Sequence, residues 1–359
     1  MSPATMGSMA GPPRVALALG SGGARGYAHI GAIEEVAGRG YEVVDIAGAS
    51  MGALVGGVYA AGALEPYTAW ARSLTQREVL RLLDPSLGAP GAIRAEKILA
   101  KVSELLDGAQ IEDLPISFTA VATDLLARKE VWFQRGPVDA AIRASIALPT
   151  VITPVMINGR LLADGALMNP IPVSATTASQ ADVTIAVSVS GELPVHNGKV
   201  PTRESAAEQP VAEWGDRLRR TAARLVDTDL RRTVVRFLGT ARARAVSARG
   251  GGTDVAEALT DRIFEELPPG LRTLDVVELS LDAMQSVVAS FRLAGYPPDV
   301  LVAIPKNSCN TLEFHRAAEM IDLGRSATAA ALDQAVAQGV LPAVTRGSAL
   351  TRTGGAETS

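Results

Sequence analysis

Apolar positions first gather between Arg14 and Leu19, where Arg-Val-Ala-Leu-Ala-Leu makes a short run that stops at glycines. A run of that length ending in a glycine turn predicts a buried strand. From Tyr27 to Ala37 apolar residues recur at helical spacing, and Gly38 to Gly40 close the pattern. A second apolar run, Val43 to Ala47, leads through another glycine-bracketed turn into a helical stretch over Met51 to Ala61. Strand, tight turn and helix thus recur at the start of the chain. Strands linked through a helix run parallel, because parallel neighbours need a crossover connection. The class is α/β, with helices covering a largely parallel sheet.

The same reading predicts strands at Ser117 to Thr123, Glu130 to Phe133, Arg160 to Leu162, Val183 to Val189 and Asp299 to Ile304. Helices are predicted near Arg94 to Leu106, Val138 to Ala144, Val276 to Leu293 and Glu313 to Ala337. Between Arg203 and Arg249 eleven arginines face six acids, with apolar residues such as Trp214, Leu218, Ala222 and Leu225 on one helical face. That stretch predicts basic amphipathic helices, a solvated packing face or a peripheral contact with anionic lipid headgroups. The expected organisation is a disordered N-terminus (1–13), a catalytic core (14–190), a basic helical insert (191–252), a C-terminal part completing the α/β layer (253–345) and a disordered tail (346–359).

Composition narrows the function. With 47% hydrophobic and 20% charged residues over 359 positions, most of the chain has enough apolar surface to fold. A net charge of −4 gives no overall basic field for nucleic acid. One cysteine, Cys309, and three histidines, His29, His196 and His315, exclude an intramolecular disulfide and make a Cys/His metal site improbable. A reducing, cytoplasmic setting without metal or cofactor is expected. The longest uncharged run, Ile46 to Leu64, reaches the minimum for a membrane span. Its five glycines and acidic flanks, Asp45 and Glu65, argue against one.

Within that run lies Gly48-Ala49-Ser50-Met51-Gly52, a G-x-S-x-G sequence after a strand and before a helix. Such a turn presents a serine hydroxyl at a helix N-terminus, where main-chain N–H groups favour developing negative charge. The first strand ends in Gly20-Ser21-Gly22-Gly23-Ala24-Arg25-Gly26, whose N–H groups can converge on an anion. That run is therefore an oxyanion-hole candidate. Arg25 stands where a dinucleotide fingerprint needs glycine, and the Gly-Lys-Ser/Thr ending of a P-loop is absent. Serine needs a base to take its proton. Asp164, in a short apolar strand running into Asp-Gly, is the favoured one, since its apolar loop surroundings would raise its proton affinity. A triad of Ser50, Asp164 and His315 is a second arrangement, and His29 is better suited to supporting the glycine turn.

Taken together, the glycine run with Arg25, Tyr27-Ala28-His29-Ile30-Gly31-Ala32-Ile33, the elbow at Ser50, Arg143-Ala144-Ser145 and Asp164-Gly165-Ala166 resemble the patatin-like phospholipase family, its bacterial cytoplasmic branch in particular. The likeness runs from about Arg14 to Val189 and more weakly from about Pro298 to Ala330. Two departures stand out: Ser21 where the family commonly has glycine, and Gly-Ala-Ser where Gly-Thr-Ser is frequent. The resemblance implies a three-layer α/β/α fold with a mainly parallel central sheet, and a lipid or ester substrate. It implies a Ser50–Asp164 dyad, with Asp164 accepting the serine proton and the N–H groups around Gly22, Gly23, Ala24 and Arg25 holding the oxyanion. A non-catalytic lipid-binding protein that keeps the same pocket is the alternative from another class.

Overall fold

A computed structural model describes residues 11–82, 91–93, 95–191 and 273–344. By its contacts the chain divides into two units, one of Met1–Pro194 with Glu278–Ser359 and one of Val195–Val277. The architecture below is that of the first. Past Gly191, the predicted basic insert lies outside the described residues, as do 1–10 and the tail 346–359.

Ten strands and eight α-helices follow one another along the described residues. The strands are β1 (Arg14–Leu19), β2 (Glu42–Ala49), β3 (Gly91–Ile93), β4 (Ser117–Asp124), β5 (Lys129–Phe133), β6 (Thr150–Ile152), β7 (Val155–Ile157), β8 (Arg160–Asp164), β9 (Val183–Gly191) and β10 (Val300–Pro305). The helices are α1 (Ala28–Gly38), α2 (Met51–Ala60), α3 (Leu64–Ser73), α4 (Gln76–Leu82), α5 (Glu96–Leu106), α6 (Val138–Ser145), α7 (Thr273–Gly295) and α8 (Ala317–Ala337). The main sheet runs in the order β10-β9-β1-β2-β4-β8-β7, with β5 also on β4. From β10 through β4 every pairing is parallel, while β5, β8 and β7 join antiparallel. The sheet is thus parallel at its centre, as expected, and antiparallel at one side. β3 and β6 form a separate parallel pair. Among the described residues no helix is long and apolar enough to cross a membrane. The uncharged run Ile46 to Leu64 instead spans the end of β2, all of α2 and the first residue of α3.

Residue size assigns the two faces of the sheet. On β1, Val15, Leu17 and Leu19 alternate with Ala16 and Ala18, and all five are buried. The large residues join the main core, which also takes Tyr27, Ile30 and Ile33 near and within α1, Leu54 and Val55 of α2, and Met320 and Ile321 of α8. The small ones leave shallow ground on the opposite face. There Ala18 and Ala186 pack with Ile171 and Val173 and with Ala289 and Leu293 of α7. Strands buried on both faces account for the near-continuous apolar runs in the sequence.

Helices α1 and α8 cross at backbone contact. A Cβ on Gly31 would meet the Ile321 carbonyl oxygen, and one on Gly324 would meet that of Ala28. The crossing fixes α1 against the sheet and with it the turn that α1 caps. Gly324→Ala is expected to lower the urea-unfolding free energy by about 1–3 kcal/mol, the range for overpacking a rigid contact. Gly38→Ala, where a Cβ meets nothing within 4 Å at the end of α1, should be neutral or slightly stabilising.

Candidate active site

The turn after β1 is tied down from several directions. The Gly20 N–H donates to the Val187 carbonyl (3.0 Å), Ser21 N–H to Pro170 (2.9 Å) and Ala24 N–H to Thr311 (2.9 Å). Arg25 is buried, and its guanidinium donates to the carbonyls of Val189 (3.0 Å) and Cys309 (2.8 Å). From α1, His29 reaches back so that Nε2 lies 2.7 Å from the Gly20 carbonyl oxygen. A carbonyl only accepts, so Nε2 carries the proton. Burial holds this imidazole down to about 4, partly offset by that hydrogen bond, and it is neutral at pH 7.

Ser50 follows β2 with φ 55° and ψ −123°, a conformation that costs free energy in any residue with a side chain. It stands at the N-cap of α2, yet its hydroxyl makes no capping hydrogen bond. Small neighbours make the bend feasible: a Cβ on Gly52 would strike the Leu19 carbonyl, and one on Gly48 would strike that of Gly52. The bend is held by Ser145, fully buried at the end of α6. Its Oγ accepts from the Ser50 N–H at 2.9 Å and donates to the Val121 carbonyl at 2.6 Å.

Asp164 reaches the same place from another strand. β2 pairs β4 in register up to Ala49 opposite Val121, and β8 pairs β4 from Asp164 opposite Ala122. β5 holds the other edge of β4 over Ala120–Asp124, so β2 and β8 meet end to end along one edge. Ser50, next after Ala49, and Asp164, the last residue of β8, come together there. The Asp164 backbone is fixed by its N–H on Ala147 (2.9 Å) and by Thr123 Oγ1 on its carbonyl (2.9 Å). Its Oδ1 accepts from the Ala166 N–H at 2.8 Å. Burial pushes its carboxyl up from the ordinary 3.8 to about 7, with the Ser50 side chain and the Ala166 N–H pulling the other way. Oδ2 is buried and accepts no well-formed hydrogen bond, so the serine approaches the carboxyl without completing one.

Two cavities meet at Ser50. One is the more polar and is lined by Gly22, Gly23, Arg25, Ser50 and Asp164 together with residues of α7 and Lys306, the residue after β10. The other is apolar, walled by residues that include Tyr27, Met51, Leu54, Tyr67, Trp70 and Phe314. Gly23, Leu148, Val151 and Thr311 border both. Ala24 lines neither, and with its N–H held by Thr311 it leaves the set of oxyanion donors expected from the sequence.

The family model for the patatin-like phospholipases matches residues 17–177. An NTE family protein of Mycobacterium tuberculosis is 48% identical over 341 residues, which cover 89% of this chain and 92% of that one. The chain belongs to the patatin-like phospholipase family. Patatin-like phospholipase domain-containing protein 7 of Mus musculus is 30% identical over 182 residues, 49% of this chain and 13% of that protein. The solved structure of VipD from Legionella pneumophila is a looser likeness, with a TM-score of 0.39 and 14% identity over 90% of this chain and 67% of that one.

Other candidates in this patatin-like chain fall away from the cavities. His315 sits in the short 3-10 turn Phe314–Arg316 before α8 and lines neither cavity. Cys309 is buried, and burial with the neighbouring Glu313 pushes its thiol up to about 12, far from thiolate chemistry. Sequence reasoning missed the pin formed by Ser145 and the wall built by α3 and α4. Leu64, Tyr67, Ala71 and Leu74 are all buried, and their three-to-four-residue spacing is the signal that predicts α3.

Removing the Ser145 hydroxyl leaves the Ser50 N–H and the Val121 carbonyl each without this partner. We expect Ser145→Ala to slow fluorophosphonate labelling of Ser50 about tenfold with the circular dichroism spectrum retained, the effect of one lost buried hydrogen bond on a positioned group. Ser145→Cys, a weaker donor and acceptor, should fall between the variant and the parent.

Proposed function

We propose that this chain is a serine lipid acyl hydrolase working through a Ser50–Asp164 dyad. One observation carries the reading: a backbone-strained serine and a buried acid with raised proton affinity line one cavity, next to the glycine turn, where polar and apolar spaces join. Family membership supports the same chemistry.

In this reading the Ser50 hydroxyl attacks the ester carbonyl carbon while its proton passes to Asp164. The N–H groups of Gly22, Gly23 and Arg25 receive the oxyanion. Asp164 then gives its proton to the leaving alcohol as the carbon–oxygen bond breaks, and an acyl-enzyme remains on Ser50. Water attacks that ester, Asp164 takes the water proton, and collapse returns it to Ser50. A pKa near the working pH suits an acid that must accept and release the same proton. His29 acts through the turn: its bond to the Gly20 carbonyl braces the loop from beneath. The apolar cavity takes the acyl chain. Peripheral contact of the arginine-rich stretch 203–249 with anionic lipid belongs to the same proposal.

Ser50→Ala and Asp164→Asn are each expected to abolish hydrolysis of a p-nitrophenyl ester with the fold retained. Survival of turnover in either variant overturns the dyad. In the parent protein kcat/KM should rise with pH on a limb near 7, because the base is the ionised form of an acid that burial has pushed up to about 7. A limb near 4 instead would contradict the assignment of Asp164.

A further inference from the structure

A lipid ester has an acyl chain on one side of the reacting carbonyl and an alcohol on the other. The acyl-hydrolase reading puts the chain in the apolar cavity, so the leaving alcohol occupies the polar one. Among the described residues, the charged side chains lining that polar cavity are Arg25, Asp164, Asp282 and Lys306. Arg25 donates to the Val189 and Cys309 carbonyls, where it clamps the glycine turn, and Asp164 stands beside Ser50. Lys306 and Asp282 have no such structural duty.

They face one another across the cavity wall. Lys306 Nζ lies 3.0 Å from Asp282 Oδ2, and their side chains are 45% and 40% exposed. An ion pair this open to water contributes at most about 1 kcal/mol, so Lys306 can change partner at small cost. Its position is nevertheless fixed. Lys306 opens the 3-10 turn Lys306–Ser308 directly after β10, Ser308 Oγ bonds back to the Pro305 carbonyl at 2.7 Å, and the next residue, Cys309, is held by Arg25. The same arginine therefore links the oxyanion turn to the segment carrying the lysine. Asp282 comes from α7, the helix that walls the other side of the cavity.

We propose that Lys306 is a specificity-determining residue that binds the phosphate of a phosphodiester-bearing leaving alcohol, and that Asp282 holds the ammonium in place until substrate displaces it. The proposal rests on the acyl-hydrolase reading and deepens it. An ammonium is a compact point charge with three donors, suited to a phosphate whose orientation varies from one bound lipid to the next. Asp282 in turn disfavours an anionic group that fails to engage the lysine, which makes the pair a discriminator and not simply a sink for anions.

The test compares two substrates with one acyl chain, a monoacyl glycerophosphodiester and the corresponding monoacylglycerol, on the full chain. Lys306→Gln should lower the ratio of their kcat/KM values about tenfold, the share of one charge-assisted hydrogen bond. Lys306→Arg should restore most of that ratio. Asp282→Asn should lower KM for the phosphodiester. A ratio that stays constant in Lys306→Gln overturns the subsite, as does a parent enzyme indifferent to the phosphate. Those outcomes leave Ser50-dependent hydrolysis of the monoacylglycerol standing. Hydrolysis that persists in Ser50→Ala overturns the acyl-hydrolase reading itself.

Discussion

Strand β4 gives one edge to β2 as far as Val121 and then to β8 from Ala122 onward. This change of partner within a single strand is the constraint on which the site depends. It sets the end of a parallel strand against the end of an antiparallel one, so that the residue after β2 and the final residue of β8 share a corner. Ser145 locks the corner from α6 by joining the Ser50 N–H to the Val121 carbonyl. A one-residue slip of β8 would turn Asp164 to the other face of the sheet. The buried backbone ties of Asp164 to Ala147 and Thr123 oppose that slip.

Burial raises the proton affinity of Asp164 and also makes it a burden on folding. Its pKa rises from 3.8 to about 7, so between those values the folded protein holds a proton the unfolded chain has released. Stability from this group therefore falls as pH rises through that window. His29 acts in the opposite sense, since its pKa drops from 6.5 to about 4 and the unfolded chain binds the extra proton there. Its contribution is full above about 6.5 and is lost as pH falls through 4. The two groups thus offset each other across mildly acidic pH. Functional groups that cost stability are what a strained, desolvated site entails.

Much of this was legible in the chain. The alternation of Val15, Leu17 and Leu19 with alanines, and the glycine turns after each of the first two strands, write the parallel centre of the sheet directly into the sequence. The elbow at Ser50 declares itself because a tight strand-to-helix bend demands small neighbours. Asp164 was legible as an Asp-Gly turn in apolar surroundings, but its pairing with Ser50 as a dyad came through the family resemblance, because it depends on a register that no local pattern encodes. Ala24 was a reasonable oxyanion donor until Thr311, remote in sequence, claimed its N–H. Lys306 and Asp282 were silent for the same reason: neither lies in a motif, and the cavity that unites them is lined from α7, the turn after β10 and the glycine turn, which are far apart in sequence.

In the proposed dyad a buried aspartate with a pKa near neutrality serves Ser50. Carboxyl-carbon NMR of protein labelled at aspartate, with the Asp164 resonance identified by its loss in Asp164→Asn, tests it most directly. A titration midpoint near 7 is expected for that resonance, set by burial. A midpoint near 4, the behaviour of a solvated carboxylate, would contradict it.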